Sequence, residues 1–284
     1  MSILSLNQLR EGASPLAMTE ALIALALEAG TAILAVYETA GAARSEAKAD
    51  GSPVTEADEA AEKVILAGLA ALAPEVPVVA EEAVAAGDIP PVSGPYFLVD
   101  PLDGTREFIK RNGEFTVNIA LVEDGVPVLG VVLAPALGEI YWGDATGAWS
   151  GRVAGAAVVE RRPIAVRRRP EGGLGVLASR SHLSEETSAL IDRLPVAELL
   201  SVGSSLKLCW VAAGRADVYP RLSPTMQWDI AAGHAVLRAA GGRALAAGTR
   251  EELAYRLPPV PGRDDLVNRH FIAIGDQDLI DLVA

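Results

Sequence analysis

The sequence predicts a mixed α/β chain whose two halves are built differently. From Phe115 to Arg152, apolar runs follow one another closely, and Asp124-Gly125 joins two of them as a hairpin turn does. From Gly175 to Tyr219, short apolar runs alternate with helical stretches, the pattern of an α/β layer. Ahead of both, Leu22, Leu25, Ala29, Ala32, Ile33 and Val36 fall on one face of a helix from Pro15 to about Ala40. The expected division is an α+β half over 1–160 and an α/β half over 161–284.

The elements follow in order. Residues 1 to about 15 read as a loose leader. After the first helix, 41–53 is small and polar. Thr55 can then cap a second helix, with Asp58 at its third position completing a capping box. Pro74 and Pro77 end that helix, and Val76 to Ala80 reads as a buried strand ending at Glu81-Glu82. Residues 83–95 form a loop rich in Ala, Gly and Pro. Tyr96 to Asp100 is a second apolar strand, and Pro101, lacking an N–H, is expected to stop its pairing. Asp103-Gly104 is turn chemistry. Phe115–Glu123, Val126–Ala134, Gly138–Gly143 and Ala148–Arg152 read as scaffold strands. Arg161-Arg162-Pro163 and Arg167-Arg168-Arg169-Pro170 read as solvated loops. Beyond them come strand 175–179, helix 185–194, strand 197–201, helix 204–213 and strand 216–219. Trp228-Asp229 opens a helix through Ala240 that Gly241-Gly242 ends. A last strand, His270 to Gly275, precedes a short C-terminal helix.

Composition bounds the function. The chain has 284 residues, 50% of them hydrophobic, enough for a sizeable core. Lys and Arg total 24 against 37 Asp and Glu, a net charge of -13. That balance argues against a nucleic-acid polymer as partner, because such binding needs phosphate-neutralising cations. A small anionic ligand stays compatible, since local cations and metal ions can reverse the field in a cleft. Cys209 is the single cysteine, which excludes an intrachain disulfide and fits a cytoplasmic setting. The stretch Ala21 to Tyr37 carries Glu28 and reads as too short and too charged for a membrane span.

The chemistry-bearing residues are carboxylates. The three histidines are scattered and make no zinc site, and neither a P-loop nor a nucleophile elbow is present. Two strands ending in Glu81-Glu82 and in Asp100 can bring carboxylates together at one sheet edge. With Asp103 and a backbone carbonyl, such a set suits a hard cation such as Mg²⁺. Helical residues beyond Gly104 would offer N–H groups to an anion beside it. Ordinary readings remain beside these. Glu81-Glu82 can be a solvated pair, Asp58 and Asp229 can simply complement helix starts, Ser204 can be an N-cap, and Lys207 can be a solvated helix lysine.

Asp100-Pro-Leu-Asp103-Gly-Thr105, Glu81-Glu82 and Trp228-Asp229 together resemble the inositol monophosphatase superfamily of metal-dependent phosphatases. Gly104 to Leu121, Ser179-Arg-Ser-His182 and Gly203-Ser-Ser-Leu-Lys207 are similar to its 3'(2'),5'-bisphosphate nucleotidase branch, in order from about Lys48 to about Gly242. The resemblance implies a layered αβαβα fold with the active site between the halves, and two or three Mg²⁺ ions. Glu81, Asp100 and the Leu102 carbonyl would hold one ion, and Asp100, Asp103 and Asp229 another. Gly104 and Thr105 would bind phosphate through backbone N–H groups. The Thr105 hydroxyl, helped by Asp58, would orient the attacking water without a covalent phosphoenzyme. His182, Ser204, Lys207 and Arg221 would face the sugar and the second phosphate. The implied reaction converts adenosine 3',5'-bisphosphate to AMP and phosphate, extends to the sulfated nucleotide of sulfate assimilation, and is inhibited by lithium. Two other outcomes are compatible: a broader inositol- or sugar-phosphate phosphatase, and a metal-binding regulatory protein without turnover. The chain departs from the closest pattern at Arg106, where lysine is common, and over 248–267.

Overall fold

The computed structural model describes residues 15–39, 45–47, 53–178 and 184–283. Helix α1 (Pro15–Thr39) buries Met18, Leu22, Ala26, Ala29 and Ile33. Its bounds match the expected helix, and by length and composition alone it could cross a membrane, contrary to the reading of Ala21 to Tyr37 as too short and too charged. Its apolar stripe lies instead on the first sheet, as that of a core helix does. Strands β1 (Ser45–Ala47) and β2 (Pro53–Thr55) pair antiparallel and lead into α2 (Glu56–Leu72), which packs beside α1.

A seven-stranded sheet follows. It contains β3 (Val78–Ala80), β4 (Tyr96–Asp103), β5 (Thr116–Glu123), β6 (Val126–Ala134), β7 (Glu139–Asp144), β8 (Gly147–Ala154) and β9 (Ala157–Ile164), in that spatial order. Only β3 and β4 run parallel. Short helices α3 (Glu81–Ala85) and α4 (Thr105–Ile109) leave the ends of β3 and β4. The second sheet takes the order β11-β10-β12-β14-β13. Its chain order is β10 (Leu174–Ala178), α5 (Glu185–Ile191), β11 (Val196–Ser201), α6 (Leu206–Ala212), β12 (Val218–Arg221), α7 (Gln227–Ala239), β13 (Arg243–Ala246), β14 (Phe271–Ile274) and α8 (Ile280–Val283).

The layers are helix, sheet, helix, sheet, helix, as expected. Helices α1 and α2 cover the outer face of the first sheet, where Phe97, Val99, Val117 and Ile119 point. Its inner face, with Leu98, Ala120 and Val132, meets α6 and α7, which lie between the sheets. Residues of α5 and α8 cover the far face of the second sheet. With both faces covered, β4 and β5 read as unbroken apolar runs rather than alternating ones. Asp100 and Asn118 share the inner face with Leu98 and Ala120 by the period of two. Helix α7 comes so close to the sheet that a Cβ on Gly130 would lie 2.3 Å from the Ala232 carbonyl oxygen. Its Ala and Gly residues suit that slot, and an apolar surface on every side is what a sandwiched helix needs.

Two expectations are corrected here. Strand β4 does not end at Asp100 but runs through Pro101 to Asp103, because the register shifts between the two aspartates and the proline nitrogen faces no ladder partner there. The Arg161-Arg162-Pro163 run is not a loop: it belongs to edge strand β9, where a proline is tolerated. Arg161 pairs with Glu20 and stands 5.4 Å over the Trp142 ring. The Arg167–Pro170 run is an exposed loop, as expected, although Arg167 also grips Asp217 through two hydrogen bonds of 2.7 and 2.6 Å.

Candidate active site

The site forms where β3 and β4 end, α4 begins, and the turn before α6 meets the start of α7. Asp58 enters it as a capping residue. Its Oδ2 accepts the Thr55 N–H at 2.8 Å and the Thr55 hydroxyl at 2.7 Å. Its other oxygen faces the Thr105 hydroxyl at 3.3 Å. That hydroxyl also lies 3.5 Å from the Leu102 carbonyl oxygen. Thr105 stands first in α4 after Gly104, whose φ of 93° is open to glycine without strain. A side chain at Gly104 would also press within 3.3 Å of Ser204. Asp100 is buried and accepts the Leu102 N–H at 3.0 Å.

Asp103 and Asp229 come from opposite halves and share one electrostatic field. Burial, then Glu81 and Glu107, push Asp103 up to about 6, while Lys207 and the Ser205 N–H pull the other way. Burial, then Asp103 and Glu81, hold Asp229 well above the usual carboxylate range against the Met226 N–H and Arg221. Both keep part of their surface open to the cleft, yet protein atoms crowd them enough for desolvation to dominate. Met226 N–H donates to Asp229 at 2.8 Å, so one oxygen of Asp229 caps α7.

Each expected residue among those described has a definite place. Glu81 opens α3 and adds its charge to both aspartates. Arg221 ends β12, acts on Asp229 and Lys207, and donates to the Pro224 carbonyl at 3.3 Å. Ser204 takes a left-handed φ of 45° and bonds Thr116 at 3.0 Å. Lys207 was expected to face a second phosphate. It is instead only 7% exposed, and its ammonium donates to the carbonyls of Ser204 at 2.7 Å and Val202 at 3.3 Å. Burial pulls it down to about 8 against the attraction of Asp103. His182 lies outside the described residues.

Among the described residues, no three His, Cys, Asp or Glu side chains close into a ready-made metal shell. The donor set nevertheless fits a hard divalent cation. It consists of oxygens, and Asp103 and Asp229 carry mutual repulsion that a cation relieves. Sequence reasoning missed Thr116, Asn118, Ser205 and Glu114. The first two lie opposite Asp103 and Asp100 across the β4–β5 ladder, a register visible only once the bulge after Asp100 is known. Glu114 accepts the Gly203 N–H at 2.8 Å and so fixes the turn before α6.

The model of the Inositol monophosphatase family matches residues 15–272. The chain is 49% identical over 225 residues to the 3'(2'),5'-bisphosphate nucleotidase CysQ of Salmonella typhimurium, covering 79% of this chain and 88% of that one. The crystal structure of CysQ from Bacteroides thetaiotaomicron is similar at a TM-score of 0.75 and 40% identity, covering 91% of this chain and 97% of the other. An inositol monophosphatase from Anabaena matches at a TM-score of 0.69 and 25% identity, over 94% and 93%.

Proposed function

The chain belongs to the inositol monophosphatase family, and on that premise we propose that it is a Mg²⁺-dependent phosphatase removing the 3'-phosphate of adenosine 3',5'-bisphosphate, with AMP and phosphate as products. The observation that carries the substrate class is the 49% identity to a bisphosphate nucleotidase across most of both chains. The repulsion between Asp103 and Asp229 supports the metal requirement.

In this reading Glu81, Asp100 and the Leu102 carbonyl hold one Mg²⁺, and Asp100, Asp103 and Asp229 hold a second, with two or three ions in all. Bound there, Mg²⁺ supplies activation of water and stabilisation of charge on the phosphate and the departing oxygen. The protein does the positioning. Thr105 donates its hydroxyl proton toward Asp58, which leaves its lone pairs to accept from the attacking water and aim that water at phosphorus. Asp58 stays fixed because its other oxygen is held twice by Thr55. The first N–H groups of α4, at Gly104 and Thr105, bind the phosphate being cleaved. Ser204, Arg221 and His182 are the proposed contacts to the sugar and second phosphate. Lys207 holds the 202–204 turn beneath them and adds its positive charge.

We keep 1–160 and 161–284 as functional halves. The first supplies Asp58, Glu81, Asp100, Asp103 and Thr105, and the second supplies Ser204, Lys207, Arg221 and Asp229. Strand β9 runs on to Ile164, so the change of sheet falls between Ile164 and Leu174. The single, buried, free Cys209 supports a cytoplasmic setting. The test is phosphate release with and without Mg²⁺ on adenosine 3',5'-bisphosphate, its sulfated form, inositol 1-phosphate and fructose 1,6-bisphosphate. The first should give the highest kcat/KM. Preference for inositol 1-phosphate would move the enzyme to another branch, and turnover that survives metal removal would end the mechanism.

A further inference from the structure

The β4–β5 register sets Thr116 opposite Asp103 and Asn118 opposite Asp100. Each of these two residues reaches past its own sheet to one of a pair of consecutive serines. Thr116 Oγ1 lies 3.0 Å from Ser204 Oγ, and Asn118 Nδ2 donates to Ser205 Oγ at 3.0 Å. Ser205 Oγ in turn donates to the main-chain carbonyl of Asp229. The Ser205 backbone N–H also favours the charged form of the Asp103 carboxylate. One residue, just before α6, thus bonds both β5, the strand paired with the Asp100–Asp103 strand, and α7, which carries Asp229.

We propose that Ser205, anchored by Asn118, is the positioning residue that sets the distance between the first-half aspartates and Asp229, and so the affinity of the site for Mg²⁺. The inference rests on the reading of those aspartates as metal ligands. Two features give the serine this role. Thr116, Asn118 and Ser205 are all buried, so water cannot replace a lost hydroxyl. Among the described residues, Asn118 Oδ1 has no hydrogen-bond partner, so the bond to Ser205 is the one that orients the amide. The contact on α7 is to the backbone of Asp229, so it fixes where the ligand residue stands rather than its charge. The carboxylate remains available to the cation.

The test is Mg²⁺ binding measured without substrate, by calorimetry and by the Mg²⁺ dependence of Tm, on Ser205→Ala. This change removes the hydroxyl and keeps the N–H. Loss of a partner that orients a metal ligand lowers affinity by about 10- to 100-fold, and a drop of that size is expected here. The Mg²⁺ concentration for half-maximal turnover should rise in parallel, and kcat at saturating Mg²⁺ should fall less. Ser205→Thr restores the hydroxyl and should recover most of the affinity. Should Ser205→Ala not fold, Asn118→Ala probes the same link from the other side, with a smaller loss in the same direction. A change in Mg²⁺ affinity below about twofold, or a lower Tm with unchanged Mg²⁺ dependence, overturns the proposal. A parent protein that binds no Mg²⁺ overturns the phosphatase reading as well. A parent that binds Mg²⁺ beside an unaffected Ser205→Ala overturns this inference alone.

Discussion

Asp58 and Asp229 each stand third in a helix, and each accepts the backbone N–H of the residue before that helix, from Thr55 and from Met226, both at 2.8 Å. Their surroundings then diverge. Thr55 reciprocates, giving its hydroxyl to Asp58 and accepting the Ala57 N–H, so Asp58 has one oxygen fully tied and the other on Thr105. Met226 has no hydroxyl to return, and Asp229 faces Asp103 and Glu81 across the cleft. A cap uses one carboxylate oxygen, and the group beside the other oxygen decides the work. In the proposed reading, the carboxylate beside a hydroxyl orients, and the one beside like charges takes a cation.

The largest expected effect separates the two directly. Asn keeps the shape and the cap acceptor at either position and removes the charge. Asp229→Asn should abolish Mg²⁺ binding and lower kcat/KM by more than about 100-fold, beyond the cost of losing an outer-shell partner. Without metal it should melt higher than the parent, because a repelled charge has gone. Asp58→Asn should lose turnover and keep Mg²⁺ affinity. Equal loss of Mg²⁺ binding in both would erase the distinction. Thr105→Ala tests the Asp58 side alone. Its hydroxyl does not cap α4, so kcat should drop about 10²-fold with little change in Tm.

Lys207 sharpens the Asp229 side. Two of its N–H groups are engaged by backbone carbonyls, and its charge acts on Asp103. Lys207→Met keeps the apolar stem and removes a charged hydrogen-bond donor, a loss of about 1.5–3 kcal/mol. The expected fall in kcat/KM is about 10- to 150-fold. It should be similar for adenosine 3',5'-bisphosphate and adenosine 3'-monophosphate, since the lysine serves the turn under both. A loss confined to the bisphosphate would set the ammonium on the second phosphate instead.

These contrasts also mark how far the sequence could be read. Thr55 and Asp58 were legible as a capping box because both partners lie within four residues. The layered fold was legible because its runs and turns are local. The bulge at Pro101 was not, since a proline in a strand looks like a stop until its register is known. The ion pairs of Arg161 and Arg167 were not, because Glu20 and Asp217, which hold them, are far away in the chain. Ser205 was legible only as part of the Gly203–Lys207 run, with no role of its own. Its significance comes from Asn118 and Asp229, 87 and 24 residues away.

The aspartate cluster predicts an unusual pH response. A carboxylate whose folded pKa is raised binds more protons in the native state than in the unfolded one, so stability falls as pH rises between the two values. For Asp103, with burial as the main cause, that window runs from about 4 to about 6. The loss is at most about 3 kcal/mol, reduced by the cleft's contact with water. Asp229 acts in the same direction. Lys207, pulled down to about 8, adds stability only as pH rises above that value and lies outside the window. Thermal melts in chelator should therefore show Tm falling from pH 4 to 6 relative to melts in saturating Mg²⁺. Asp103→Asn should flatten the difference, and Asp58→Asn should not.

The smallest effect returns to Thr55. Its hydroxyl donates to Asp58 and accepts from Ala57 N–H at 3.2 Å, so Thr55→Ala removes both bonds of that hydroxyl. Loss of such a cap costs about 0.5–2 kcal/mol, seen as a lower Tm at every pH. The Thr55 backbone N–H still binds Asp58 after the change, so the carboxylate keeps one tether and its contact with Thr105. Turnover should therefore fall far less than with Thr105→Ala, and Mg²⁺ affinity should not move, because nothing on the Asp229 side has been touched. Ser at this position should restore both Tm and kcat. If Thr55→Ala instead weakened Mg²⁺ binding as Asp229→Asn does, Asp58 would belong to the ligand set, and the two capping carboxylates would share one role after all.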